Sequence, residues 1–272
     1  MALSAGVAYA EVSVSGNARV GLSYNEAAAQ ETTMDNRVRI VFSASGETDG
    51  GLSWSVSSRI RTGNEGGASV NALNELGVTI SGAFGSLTVG SESSAAEYAV
   101  GDLAGVGYIG AGFGNENTFL NTDIVGARAI YSYTAGDLSV YASAGQLGSD
   151  AFALGATYTT GGLTVALGYE DVQGVADHII GGVTYAMGDT TVKATYGEAS
   201  DLNFTQAGVS ASHTMGALTL AAYYRTTETA GVDADNYGLG ASYDLGGGAA
   251  FKAGVADIDG TNRAELGMTF SF

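Results

Sequence analysis

The chain has no cysteine and no proline, and only 10 of its 272 residues are lysine or arginine. Without cysteine there is neither a disulfide framework nor a thiolate metal site. No run of 18 or more apolar residues occurs, which excludes a transmembrane helix. It does not exclude a membrane barrel, whose strands are short and alternate in polarity. With 28 acidic residues the formal charge is -18, so nucleic acid is excluded as a partner, because phosphate binding needs a basic surface. The length suits one large β domain or two small ones. No position reads as a linker, so a single domain is expected.

What is present in quantity is glycine, at 43 residues, and tyrosine, at 15. From residue 126 onward one phrase recurs: "AIYSYTAGDLSVYASAG", "LGATYTTGGLTVALGYE", "GGVTYAMGDTTVKATYGE", "GVSASHTMGALTLAAYY" and "GLGASYDLGGGAAFKAGVA". Each is an alternating strand, a glycine-bearing tight turn and a second alternating strand. The turns fall near Gly136, Gly161, Gly188, Gly216 and Gly246, the spacing of one hairpin plus a loop. "FSASGETDGGLSWSVSS" and "VTISGAFGSLTVGSE" add two earlier hairpins. Sixteen strands follow, among them 11–25, 36–46, 73–82, 236–244 and 262–272. Short turns alternate with longer polar loops, the layout of an outer-membrane barrel.

Period two assigns the faces. "NRVRIVFSAS" and "SVSSRIRT" set Arg37, Arg39, Arg59 and Arg61 opposite the apolar set of their own strands, and Arg19 behaves likewise. Arg128, Lys193, Arg225, Lys252 and Arg263 also fall on the polar face. Arginine facing lipid near the midplane costs about 2–4 kcal/mol apiece. Five such residues would rival the stability of a whole domain, so their face is expected to be wet. On the apolar face, Tyr133, Tyr158, Tyr185 and Tyr243 sit just before short turns, where an aromatic girdle meets headgroups. Trp54, Phe270 and Phe272 join this girdle.

The opening residues, 1–10, end in "AYA", a small-x-small cleavage pattern after an apolar stretch. They read as the remnant of a secretory signal peptide, with residues 11–272 as the mature barrel.

"EVSVSGNARVGLSYN", "SGAFGSLTVG", "YSYTAGDLSVYAS" and "YGLGASYDLGGGA", with the closing "ELGMTFSF", resemble the sixteen-stranded general porins of purple photosynthetic alphaproteobacteria. The resemblance implies an all-β, sixteen-stranded antiparallel barrel in a Gram-negative outer membrane. It also implies a homotrimer and an open channel rather than an enzyme. The lipid bilayer, lipopolysaccharide and small hydrophilic solutes or ions would be its partners.

A connection at 92–125 is by far the longest, and connections of that length are usually functional or disordered. In the resembled family the loop at that place folds into the barrel and narrows it. Glu92, Glu97, Asp102, Glu116 and Asp123 are thus expected on the acidic side of a constriction. Arg19, Arg37, Arg39, Arg59 and Arg61, on three adjacent strands, would form the basic wall facing them. A field across the narrowest section favours polar solutes over apolar ones. The acidic balance suggests a weak preference for cations.

No cofactor is required by these residues. Asp233 and Asp235 in "DADN", and Asp257 and Asp259 in "DIDGTN", resemble the start of a calcium loop. Neither continues with the bidentate acid such a loop needs, so both are expected at loop tips, where calcium could bridge acids to anionic lipid. His178 and His213 lack a Ser, Asp or Cys partner at suggestive spacing, which argues against a barrel hydrolase. "GVGYIGAGFG" does not join a strand to a helix, so a nucleotide loop is rejected. The competing functions are a plugged barrel acting as adhesin or anchor, and a soluble secreted β protein.

Overall fold

Sixteen antiparallel strands close on themselves in the computed structural model, which describes residues 10–65, 68–120, 128–145 and 150–272, with the backbone alone of 65 and 68–75. The wall begins with β1 (Glu11–Asn25), β2 (Thr32–Glu47), β3 (Ser53–Glu65), β4 (Ala68–Gly82) and β5 (Gly85–Gly90). A helix, α1 (Ala95–Val100), then interrupts the strands. β6 (Arg128–Ala135), β7 (Leu138–Ala144), β8 (Ala151–Thr160), β9 (Leu163–Val172) and β10 (Ala176–Met187) continue the wall. β11 (Thr190–Ala199), β12 (Phe204–Met215), β13 (Leu218–Thr229), β14 (Val232–Gly246), β15 (Ala249–Ile258) and β16 (Thr261–Ser271) complete it.

Every strand pairs with its sequence neighbours, and β1 pairs with β16, with Ala18 opposite Phe270 and Leu22 opposite Leu266. Closure leaves no edge strand to aggregate. Gly136, Gly161, Gly188 and Gly216 turn the hairpins at φ between +54° and +60°, the left-handed conformation that such turns demand. The aromatic C-terminus belongs to the closure as well. Gly16 donates its N–H to Phe272 O at 2.7 Å, and the Phe272 ring lies over the bare face of Gly16.

At the end remote from the chain termini the strands reach further than expected. β2, β4 and β14 start at Thr32, Ala68 and Val232 rather than near 36, 73 and 236. Their connections are correspondingly short. Asp233 and Asp235 therefore lie within β14 and Asp257 within β15, not at loop tips, and only Asp259 sits in a connection. Polar side chains are tolerated on these extensions because strand pairing already satisfies the backbone. Asp235 accepts the Tyr224 hydroxyl at 2.8 Å, and Asp257 Oδ1 accepts the Gly260 N–H at 2.8 Å. Among the described residues no three acidic or histidine side chains converge closely enough to hold a metal.

The barrel is inside out. Val12, Met34, Leu167, Leu239 and Val255 point outward and are more than half exposed, while the buried side chains line the lumen or belong to the segment within it. Such a continuous exposed apolar band is stable only against lipid. Tyr133, Tyr158, Tyr185 and Tyr243 are exposed on this outer face, and the Trp54 ring lies over Gly46.

Candidate functional site: a loop folded into the barrel

The buried core is made by the segment after β5. Ala95, Ala96, Ala99 and Val100 of α1 pack with Phe119 against Ala153, Ala166 and Ile180. Further along, Leu103, Val106 and Ala111 pack against Tyr223 and Ala256. The α1 helix starts where the Ser94 hydroxyl accepts the Glu97 N–H, and its small residues let it lie flat on the wall. A Cβ at Gly155 would stand 2.1 Å from Ala95 O, and one at Gly168 would stand 2.7 Å from the Ala96 methyl. Only glycine fits at either point.

Polar pins fix the rest of the loop. The Ala95 N–H donates to Ser143 Oγ at 2.9 Å and the Ala104 N–H to Ser210 Oγ at 3.0 Å. Lys193 donates to the carbonyls of Val100 and Asp102. At the far end Glu265 accepts the N–H groups of Ile109, Gly110 and Ala111, at 2.8, 3.3 and 2.7 Å. On the return, the Gln206 amide binds Thr118 both ways. Its oxygen accepts the Thr118 N–H at 2.8 Å and its nitrogen donates to Thr118 O at 2.7 Å. Arg225 adds a 2.7 Å bond to Thr118 Oγ1.

Beside them lies a polar pair that the sequence reading did not anticipate. Glu170 Oε2 accepts the Leu120 N–H at 2.7 Å and lies 3.0 Å from His178 Nδ1. Both side chains are essentially fully buried. His178 thus has a glutamate as its partner, a residue type outside the Ser, Asp and Cys weighed from the sequence. The two face each other across the β9–β10 pair, each four positions from Gly174 in the connection. The hairpin register was the signal that could have found them. The pair is sealed beneath the loop, where it anchors backbone and meets no solute.

The five arginines expected on one wall are brought together on β1–β3. Arg19 opposes Arg37 across β1–β2, Arg39 opposes Arg61 across β2–β3, and Arg59 lies opposite Val41 beside a bulge. Arg37 senses the charges of the other four, so they form one cluster. Like charges directly opposed across strands are destabilising, so these positions are not chosen for stability. Asn17 accepts from Arg37 at 3.0 Å, and Asp35 and Glu265 place negative charge near Arg19. Of the other inward cations, Arg128, Lys193 and Arg225 are tied to the loop rather than presented to open lumen. Arg263 reaches the cavity beside Arg19, and Lys252 lies on the inward face of β15 away from the loop pins.

Loop acids divide in the same way. Glu92 accepts the Tyr98 hydroxyl, and Asp102 Oδ1 accepts the Asn117 N–H at 2.8 Å. Burial by the surrounding wall pushes the Glu97, Asp102 and Glu116 carboxyls above the ordinary range. The charge of Asp102 reinforces the shift at Glu97 and at Glu116, so the three form one cluster. Asp123 and residues 1–9 lie outside the described residues.

Position in the ring relates the two clusters. In a closed barrel of sixteen strands, β1–β3 lie across the lumen from β9–β11. Glu97 of α1 sits in front of β7–β10 and Asp102 beside Lys193 of β11, with Glu116 in the same cluster, whereas Glu92 lies by β3–β4 next to Ser57; the arginines are on β1–β3. A basic wall and an acidic loop therefore face each other over the passage.

A family model described as Gram-negative porin matches residues 1–263. The chain belongs to that family. A porin of Rhodobacter capsulatus is 33% identical over 316 aligned positions, which take in 96% of this chain and 100% of that protein. A Fuscovulum blasticum porin is 25% identical over 299 positions, with the same coverage. A porin structure refined at 1.8 Å superposes with a TM-score of 0.81 at 31% identity, covering 96% of this chain and 100% of that one. With the closed barrel and its apolar outer band, membership makes this a multi-pass outer-membrane protein.

Proposed function

We propose that this porin is a passive diffusion channel for ions and small hydrophilic solutes, with a weak preference for cations. The observation that carries the reading is the placement of the Arg19, Arg37, Arg39, Arg59 and Arg61 cluster on β1–β3 and of the Glu97, Asp102 and Glu116 cluster on the loop packed against the other side of the ring. Charge of one sign on each wall makes a transverse field, in which polar solutes align their dipoles while apolar ones lose hydration without return. Cation preference follows from the net charge of -18. It stays weak because screening confines exposed charges to about 8–10 Å at moderate salt. Assembly as a homotrimer, export through a cleaved leader and contact with lipopolysaccharide complete the proposal, by analogy with the family.

Single-channel recording of the purified protein in a planar bilayer tests it. Ohmic steps closing in three equal parts, with a reversal potential of cationic sign in a salt gradient, are expected. Folded, inserted protein that gives no steps would transfer the assignment to a plugged barrel serving as adhesin or anchor.

A further inference from the structure

Between the arginine cluster and the loop tip lies a cavity of about 880 Å³, open toward the 26–31 connection. That volume suits a small-molecule pocket, for which about 300–1,000 Å³ is usual. Arg19, Arg37, Arg39, Arg61 and Arg263 line it, against Glu31, Asp35 and Glu265. Two of those acids are already engaged. Glu265 holds three loop N–H groups, and Asp35, about 1% exposed, accepts from Ser23 and Thr33. Five guanidinium groups line the chamber against three carboxylates.

Phe113 completes the lining, and neither packing nor backbone preference explains it. Its ring is 49% exposed on the lumen side, not folded into the adjoining core of Leu103, Val106 and Ala111. Its φ is +60°, a left-handed conformation that is uncommon for a bulky residue and characteristic of functional sites. The turn that holds it is closed by the Phe113 N–H on Gly110 O at 2.9 Å. Glycine on both sides makes the arrangement possible. The ring lies over Gly110, where a Cβ would stand 2.8 Å from it, and the Arg263 stem lies over Gly112, where a Cβ would stand 2.4 Å from its Cδ. Phe113 and Arg263 thus line one cavity.

We propose that this chamber is a binding subsite for a small organic anion bearing a flat apolar ring, such as an aryl sulfonate, carboxylate or phosphate. The ring stacks on Phe113 and on a guanidinium face, and the anionic group takes the forks of the arginines. An aliphatic anion of equal charge engages only the arginines. The inference rests on the channel reading, and it adds transient capture of one solute class on the way to the constriction.

The probe is 2-naphthalenesulfonate, with butanesulfonate as the aliphatic control, added to the intact protein during single-channel recording. Block is expressed relative to each variant's own open current. Naphthalenesulfonate is expected to block at lower concentration than butanesulfonate. Phe113→Ala should weaken naphthalenesulfonate block by about threefold to tenfold and leave butanesulfonate block alone, while Phe113→Tyr, which keeps a flat ring, should retain it. Equal block by both anions, or block indifferent to Phe113→Ala, overturns the proposal. A second measurement, fluorescence titration of naphthalenesulfonate into folded, detergent-solubilised protein, keeps the two readings separable. Ohmic steps absent but Phe113-dependent binding present would remove the channel reading and leave the subsite standing. Channels without such binding would remove the subsite alone.

Discussion

Glu265 has the most exacting role in the barrel, because one carboxylate holds three consecutive backbone N–H groups of the loop tip, at 2.8, 3.3 and 2.7 Å. The tip is committed to this acceptor. Gly107, at φ +77°, brings the chain so close that a Cβ there would stand 2.3 Å from Glu265 Oε2. Consider Glu265→Gln. The amide oxygen still accepts, but its NH2 now confronts a donor, so at least one charge-assisted bond is lost. Such bonds contribute about 1.5–3 kcal/mol each. Lumen water can solvate a released N–H, which places the net effect near the lower figure. At about 1.4 kcal/mol per factor of ten, the ratio of detached to docked tip should rise by roughly tenfold.

The tip borders the arginine chamber, so its release should appear as added open-channel noise and partial closures in single-channel records. Neutralising Glu265 also removes a charge near Arg19, which by itself alters selectivity. Glu265→Asp separates the two effects, since it keeps the charge but is too short to span three donors. Noise should therefore increase in the Asp, Gln and Ala variants alike, while the reversal potential should move toward anions only in Gln and Ala. A quiet Glu265→Asp channel would show that the three bonds do not hold the tip, and the reasoning would fail.

Replacing Arg37, Arg39 and Arg59 together with uncharged residues should raise cation selectivity without unfolding the barrel, because it relieves like-charge opposition across β1–β3; unchanged selectivity in a salt gradient would place the constriction elsewhere. Burial holds the Glu97, Asp102 and Glu116 carboxyls above the ordinary range, so on acidification they take up protons before ordinary surface acids do. Cation preference should decline over that interval, and a preference that fell only with the surface acids would argue against the loop cluster as its source.

Strand number, facing and order were legible because alternation and glycine turns are local, and each hairpin states its own register. Strand ends were not. The extensions of β2 and β14 carry Asp35 and Asp233 on positions that composition assigns to loops, yet a paired backbone makes an acid on a strand inexpensive. The arginine wall was legible for a different reason. Misplacing a guanidinium into lipid costs so much that its facing could not be in doubt. Among the acids, sequence could name the loop but not the division of labour, in which Asp102 spends one oxygen on Asn117 and Glu92 takes the Tyr98 hydroxyl.

The loop pins were invisible because each joins residues far apart in the chain, as Glu265 joins Ala111. Alternation shows that Glu265 faces inward and says nothing of what meets it there. A trace of the loop was nevertheless written on the wall. Gly155, Gly168, Gly182, Gly208, Gly240, Gly254 and Gly267 run from β8 to β16, and each meets an atom of the loop or its helix within about 3.1 Å of where a Cβ would stand. Arginines occupy the inward face on β1–β3, where the passage remains. The inward glycines therefore record where the loop lies against the wall, and Gly21 of β1, where a Cβ would stand 2.7 Å from the Tyr108 ring, shows its tip reaching the arginine side. The same record makes a direct claim about substitution. A side chain at Gly155 or Gly168 is expected to displace α1, and Glu97 with it, from the wall toward the arginines, and so to lower single-channel conductance; unchanged conductance in folded, inserted protein would refute this.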